Sequence, residues 1–117
     1  MFSARLVNHN DTSMLNICDA ELLGRTLSKG DFTLKITDNY YKEKIVEKEE
    51  AKDLLRSSNS INMVGKEIVS LSVDMGIGSE NGIKEIDGIP FLIVFKMWII
   101  TIIYKNFYFC LWVNVRF

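Results

Sequence analysis

The stretch Asn62–Gly76, Asn-Met-Val-Gly-Lys-Glu-Ile-Val-Ser-Leu-Ser-Val-Asp-Met-Gly, constrains this chain more than any other part of it. Val64, Ile68, Leu71 and Met75 recur at steps of four, three and four, the spacing that lines up side chains on one face of a helix. Asn62 stands where a short amide oxygen accepts the N–H groups that a helix start leaves unpaired. Gly76 stands where the residue after a helix adopts the left-handed conformation. The expectation is one amphipathic helix, begun and ended by its own sequence, lying on a sheet.

The segments before it supply that sheet. Met1–Val7 and Thr12–Cys18 read as strands joined by the polar turn Asn8-His9-Asn10-Asp11. Asp19 opens a short helix with Leu22 and Leu23 on its buried side. Its carboxylate is placed to cap that helix, and Gly24 points to close packing or an early end. Ser28–Asp31 is turn chemistry. Phe32–Ile36 alternates strictly, with Phe32, Leu34 and Ile36 facing inward. In the adjacent pair Tyr40-Tyr41, one ring is expected in the core and the other on the surface. Glu47–Ser58 reads as a second helix with the stripe Ala51, Leu54 and Leu55, and its acidic first turn is a solvated helix start.

After Gly76, the Gly-x-Gly fragment at 76–78 follows a helix and lacks a third glycine at Asn81, so it is no dinucleotide fingerprint. Ile83–Ile86, the turn Asp87-Gly88 and Ile89–Phe95 make a second hairpin, with Pro90 marking an edge or a side without a ladder partner. The fold class expected is α+β: one small domain over 1–97, a mixed sheet of about five short strands with two to three helices packed on it.

Charge narrows the function. Residues 1–97 hold twelve basic and fifteen acidic residues, a net of −3, which opposes non-specific nucleic-acid binding. Cys18, Cys110 and the single His9 give no metal-ligand spacing and no disulfide framework, and nothing calls for a cofactor. With no secretory pattern at the N-terminus, a cytoplasmic setting is expected.

Residues 98–117 change character: seven of the thirteen aromatics lie there, with no acidic residue, glycine or proline. Lys96, Lys105 and Arg116 divide the region into charge-free runs at 97–104 and 106–115, each shorter than the roughly 20 residues of a spanning helix. Three readings stand: a hairpin of Trp98–Tyr104 against Phe107–Val113, a membrane anchor, or read-through beyond a natural end near Met97.

Three groups of residues carry a resemblance: Asn16-Ile17-Cys18-Asp19-Ala20-Glu21-Leu22-Leu23-Gly24-Arg25, Ile61-Asn62-Met63-Val64-Gly65, and Gly88-Ile89-Pro90-Phe91. In order and spacing they resemble an archaeal family known as domain of unknown function 424, over roughly residues 1–97. The resemblance supplies no reaction and implies a place near translation. If these segments form one functional surface, its candidates are Asp19, Arg25, Asn62 and Lys66. Asp19 and Asn62 have a structural explanation as caps, whereas Arg25 and Lys66 have none.

Three functions follow as expectations. The first is a non-catalytic binding module that docks on a ribosomal particle or another protein through Arg25 and Lys66. The second is an enzyme with Cys18 as nucleophile beside Asp19 and His9 as base across the first hairpin. The third is a protein tethered to a membrane through 98–117.

Overall fold

The computed structural model describes residues 1–97 and the strand Leu111–Asn114. Strands β1 (Phe2–His9) and β2 (Thr12–Asp19) form the expected hairpin. Its two turn residues, Asn10 and Asp11, both take positive φ, the geometry that matches the right-handed twist of paired strands. Next come a single 3-10 turn, Ala20–Leu22, a ribbon of β3 (Thr26–Lys29) and β4 (Phe32–Lys35), and the one-turn helix α1 (Asp38–Tyr41). Strand β5 (Lys44–Val46) and helix α2 (Lys48–Ser57) follow. The remaining elements are β6 (Ser60–Val64), α3 (Lys66–Asp74), β7 (Lys84–Ile86), β8 (Ile89–Met97) and β9 (Leu111–Asn114).

The main sheet runs β5-β1-β2-β6-β8-β7, with β9 also paired to β8; β3 and β4 make a separate two-stranded sheet. Only β2 and β6 are parallel in these pairings, so the sheet is mixed and the domain is α+β. The expected strand count is exceeded by the short strands β3 and β5, by β6, where the sequence pattern predicts the start of a helix, and by β9.

Strand alternation divides the side chains between the two faces. Phe2, Ala4, Leu15, Ile17, Ile61, Met63, Leu92 and Val94 pack with Ala51 and Leu55 of α2 and Ile68, Val69 and Leu71 of α3. On the opposite face a smaller cluster joins Cys18, Val64 and Phe91 to Leu22, Leu27, Ile36 and Tyr41. Among the described residues no helix is long and apolar enough to cross a membrane.

Several expectations are corrected here. The stretch 62–76 is not one helix: Asn62, Met63 and Val64 belong to β6, in register with Asn16, Ile17 and Cys18 of β2. Gly65, with φ +124 and ψ 152, turns the chain from strand to helix without a loop, in a conformation that is essentially glycine-only. Asn62 is therefore no cap. Gly76 does end the helix, at φ +76. The helix expected at Asp19 is one 3-10 turn, and Asp19 makes no capping bond to it.

Ser28 and Lys29 lie in β3, the turn being Gly30-Asp31, and Phe32, expected to face inward, is 41% exposed because it flanks that turn at the tip of the ribbon. The tyrosine pair divides as expected: Tyr41 is buried and Tyr40 exposed. Strand β8 is internal, yet Pro90 fits it. Ile86 and Ile89 close the Asp87-Gly88 turn, so the backbone groups of Pro90 point away from β7. On that side the β6 ladder has already ended at Val64↔Phe91, and the Pro90 carbonyl accepts the Gly65 N–H at 2.9 Å. Of the tail readings, the hairpin places its first strand and turn outside the described residues. Leu111–Asn114 runs antiparallel to Val94–Met97.

Candidate functional site

Asp19 ends β2 directly below the first turn of α3. Its Oδ2 accepts the Glu67 N–H and its Oδ1 the Ile68 N–H, each at 3.0 Å. These are two of the donors that a helix start leaves without intrahelical partners. Asp19 is thus a cap, but of a helix 48 residues further along the chain. A side chain on Gly65 has no room beside it, since an ideal Cβ there would lie 2.4 Å from the Asp19 carboxylate. Burial pushes the Asp19 carboxyl above its ordinary range, opposed by the two N–H bonds.

Arg25 and Lys66 flank this cap. With Asp19, Glu21, Glu67 and Ile89 they line a cleft of about 470 Å³. Both cations are exposed. Among the described residues, the side chains of both lack a hydrogen-bond or ion-pair partner. Three of the four residues singled out in the sequence therefore meet at one place. The fourth, Asn62, lies elsewhere.

Asn62 sits on the sheet face turned away from α2 and α3. Its Nδ2 donates to the Tyr41 hydroxyl at 2.9 Å. Burial raises that hydroxyl's pKa to about 12, partly offset by this bond. A second cleft, of about 420 Å³, opens beside the pair, lined by Thr33, Leu34, Lys35, Tyr40, Tyr41 and Asn62. Next to Asn62 in the parallel ladder is Asn16, and next to Asn16 is Arg5 of β1. Asn16 is only 4% exposed, and its amide has no partner among the described residues. Sequence reasoning missed Asn16 and the Tyr41–Asn62 pair. A signal was available: Leu15-Asn16-Ile17 and Ile61-Asn62-Met63 share one pattern, a lone amide inside an apolar run.

The chemistry expected of Cys18 has no geometric support. The thiol is fully buried, and burial, with the Asp19 charge beside it, pushes its pKa up to about 12, so it is not a thiolate nucleophile at neutral pH. His9 pairs with Thr12 at the other end of the hairpin, six strand positions from Cys18, roughly 20 Å at about 3.4 Å per residue. Among the described residues no group of three His, Cys, Asp or Glu side chains could hold a metal ion.

The family model described as "Protein of unknown function (DUF424)" matches residues 7–97, most of the chain. The chain belongs to the DUF424 family. Within that family match lie Asp19, Arg25, Asn62, Lys66 and Asn16 alike, whereas residues beyond 97 fall outside it. A crystal structure of an uncharacterized conserved protein from Methanopyrus kandleri is similar at 29% identity and a TM-score of 0.68, over 79% of this chain and 88% of that one. No curated protein matches the chain.

Proposed function

We propose that this DUF424 protein is a non-catalytic binding module that docks on ribosomal particles in the cytoplasm, through the cleft at the start of α3. One observation carries the reading. Arg25 and Lys66, distant in sequence, flank the same cap, exposed and without an ion-pair partner among the described residues. Exposed cations with no internal partner suit phosphate contacts, which position a protein on RNA without requiring a net positive chain. The buried Cys18 thiol gives the competing enzymatic reading no accessible nucleophile.

The test is sedimentation of the full chain with ribosomal particles from its native source across a salt series. The expected result is co-sedimentation at low salt that weakens as salt rises, with a shallower salt slope and several-fold less bound protein for Arg25→Ala/Lys66→Ala. Absence from the particle fraction at low salt refutes the reading.

A further inference from the structure

We propose that the cleft between the β4 strand, α1 and Asn62 is a binding site for a single nucleobase. The site lies on the open face of the sheet, away from the α3 cap, and stands independently of ribosomal docking.

Its hydrogen-bonding inventory defines the ligand. The Tyr41 hydroxyl already accepts from Asn62 Nδ2, so its own proton remains to be donated. The Asn62 carbonyl oxygen has no partner among the described residues and remains to accept. A donor and an acceptor held side by side, one of them on a fully buried ring, match the edge of a planar heterocycle that carries an acceptor next to an N–H. Every nucleobase that pairs through hydrogen bonds has such an edge.

The rest of the lining agrees. Tyr40 stands at the rim, 62% exposed, with a free aromatic face on which a base can stack. Lys35 is the one charged residue of the lining, enough for a single phosphate. The volume, about 420 Å³, lies within the roughly 300–1,000 Å³ of small-ligand pockets. Asn16, buried beside Asn62 without a partner among the described residues, adds a second amide to this part of the sheet.

The full chain is titrated by calorimetry with the four nucleoside 5′-monophosphates and with the four single-stranded RNA homohexamers. Binding of all four bases is expected, since each carries the acceptor–donor edge, with a shallow salt dependence because a single cation faces the phosphate. Equal affinity for a monophosphate and its hexamer identifies a free nucleotide as the ligand; tighter hexamer binding identifies single-stranded RNA. Tyr40→Ala, a surface change that leaves the core alone, is expected to weaken binding about tenfold. Asn62→Leu, which removes the acceptor, is expected to weaken binding of every base several-fold, and Arg25→Ala/Lys66→Ala to leave it untouched. No binding of any of the eight probes at millimolar concentration overturns the proposal, as does binding that Tyr40→Ala leaves unchanged. Because these probes contain no ribosomal particle, their failure leaves the sedimentation result standing, and the converse holds too.

Discussion

The two faces of the main sheet are built by different rules. Under α2 and α3, Leu15, Ile17, Ile61, Met63, Leu92 and Val94 are each at most 1% exposed, and the helices answer with Ala51, Leu55 and Ile68, all fully buried. The other face is covered by a two-stranded ribbon and one helical turn, which shelter only the end marked by Cys18, Val64 and Phe91. At the margin of that shelter, bonded to α1 through Arg5–Asn39 and Asn62–Tyr41, a polar row of Arg5, Asn16 and Asn62 crosses three adjacent strands, and in the next row Met14 and Phe95 are more than 40% exposed. The helical face is given over to burial except at its end, where Asp19 caps α3. The other face also holds polar groups, two of them bonded to α1 and one, Asn16, buried without a partner among the described residues.

Gly65 is where the faces are tied together, and the largest effect is expected there. Gly65→Ala puts a Cβ 2.4 Å from the Asp19 carboxylate at a φ of +124. Strain and overpacking together amount to about 4 kcal/mol, read as a lower denaturant midpoint. A loss below about 1 kcal/mol would mean that the Asp19 clamp is loose. Next in size is a direct comparison of the faces. Ile68→Ala, on the helical side, is expected to cost about 3 kcal/mol, and Met14→Ala, on the open side, less than about 0.5 kcal/mol. Equal losses would erase the distinction between the faces.

Part of this contrast is legible in the residue pattern alone. Loose alternation together with the turn residues Asn10-Asp11 and Asp87-Gly88 marks β1, β2 and the second hairpin, whereas in the strictly alternating Phe32–Ile36 the first apolar residue, Phe32, is 41% exposed. The α2 stripe and the division of Tyr40 from Tyr41 are legible for the same local reasons. The cap of α3 is not. Capping rules look one turn upstream, and Asn62 satisfies them, whereas the true cap arrives from β2 through a parallel pairing that no local pattern encodes. The Val64-to-Ile68 spacing fits a helix only by coincidence, since the two side chains enter different clusters on opposite faces. Of the candidate site, Arg25, Lys66 and Asp19 are legible as a group through the family resemblance. The Asn16–Asn62 adjacency depends on register.

Asp19 provides a third, smaller test. Asp19→Ala leaves two N–H groups of α3 without their acceptor, and the expected loss is about 2 kcal/mol. Its pH dependence has a definite sign. Burial raises the folded carboxyl above its ordinary value of 3.8, so above that pH the folded state holds the proton longer than the unfolded chain does. Stability therefore falls as pH rises from 3.8 through the folded pKa, then levels. Denaturant unfolding of the wild type and of Asp19→Asn, compared between about pH 3 and 7, isolates this contribution. The wild type is expected to lose ground relative to the variant as pH rises. The opposite slope would mean that the two N–H bonds outweigh burial.

The smallest effect bears most directly on the open face. Asn16 is buried with an amide that has no partner among the described residues, and such a group costs stability that an apolar side chain of similar shape would recover. Asn16→Leu is therefore expected to raise the unfolding free energy by about 1 kcal/mol, in contrast to the losses expected for core substitutions on the helical side. A gain would mean that this position trades stability for polarity, as a recognition surface does and a packing surface does not. A loss of similar size would assign Asn16 a structural hydrogen bond, and the polar row would then belong to the same stabilising logic as the face beneath α3.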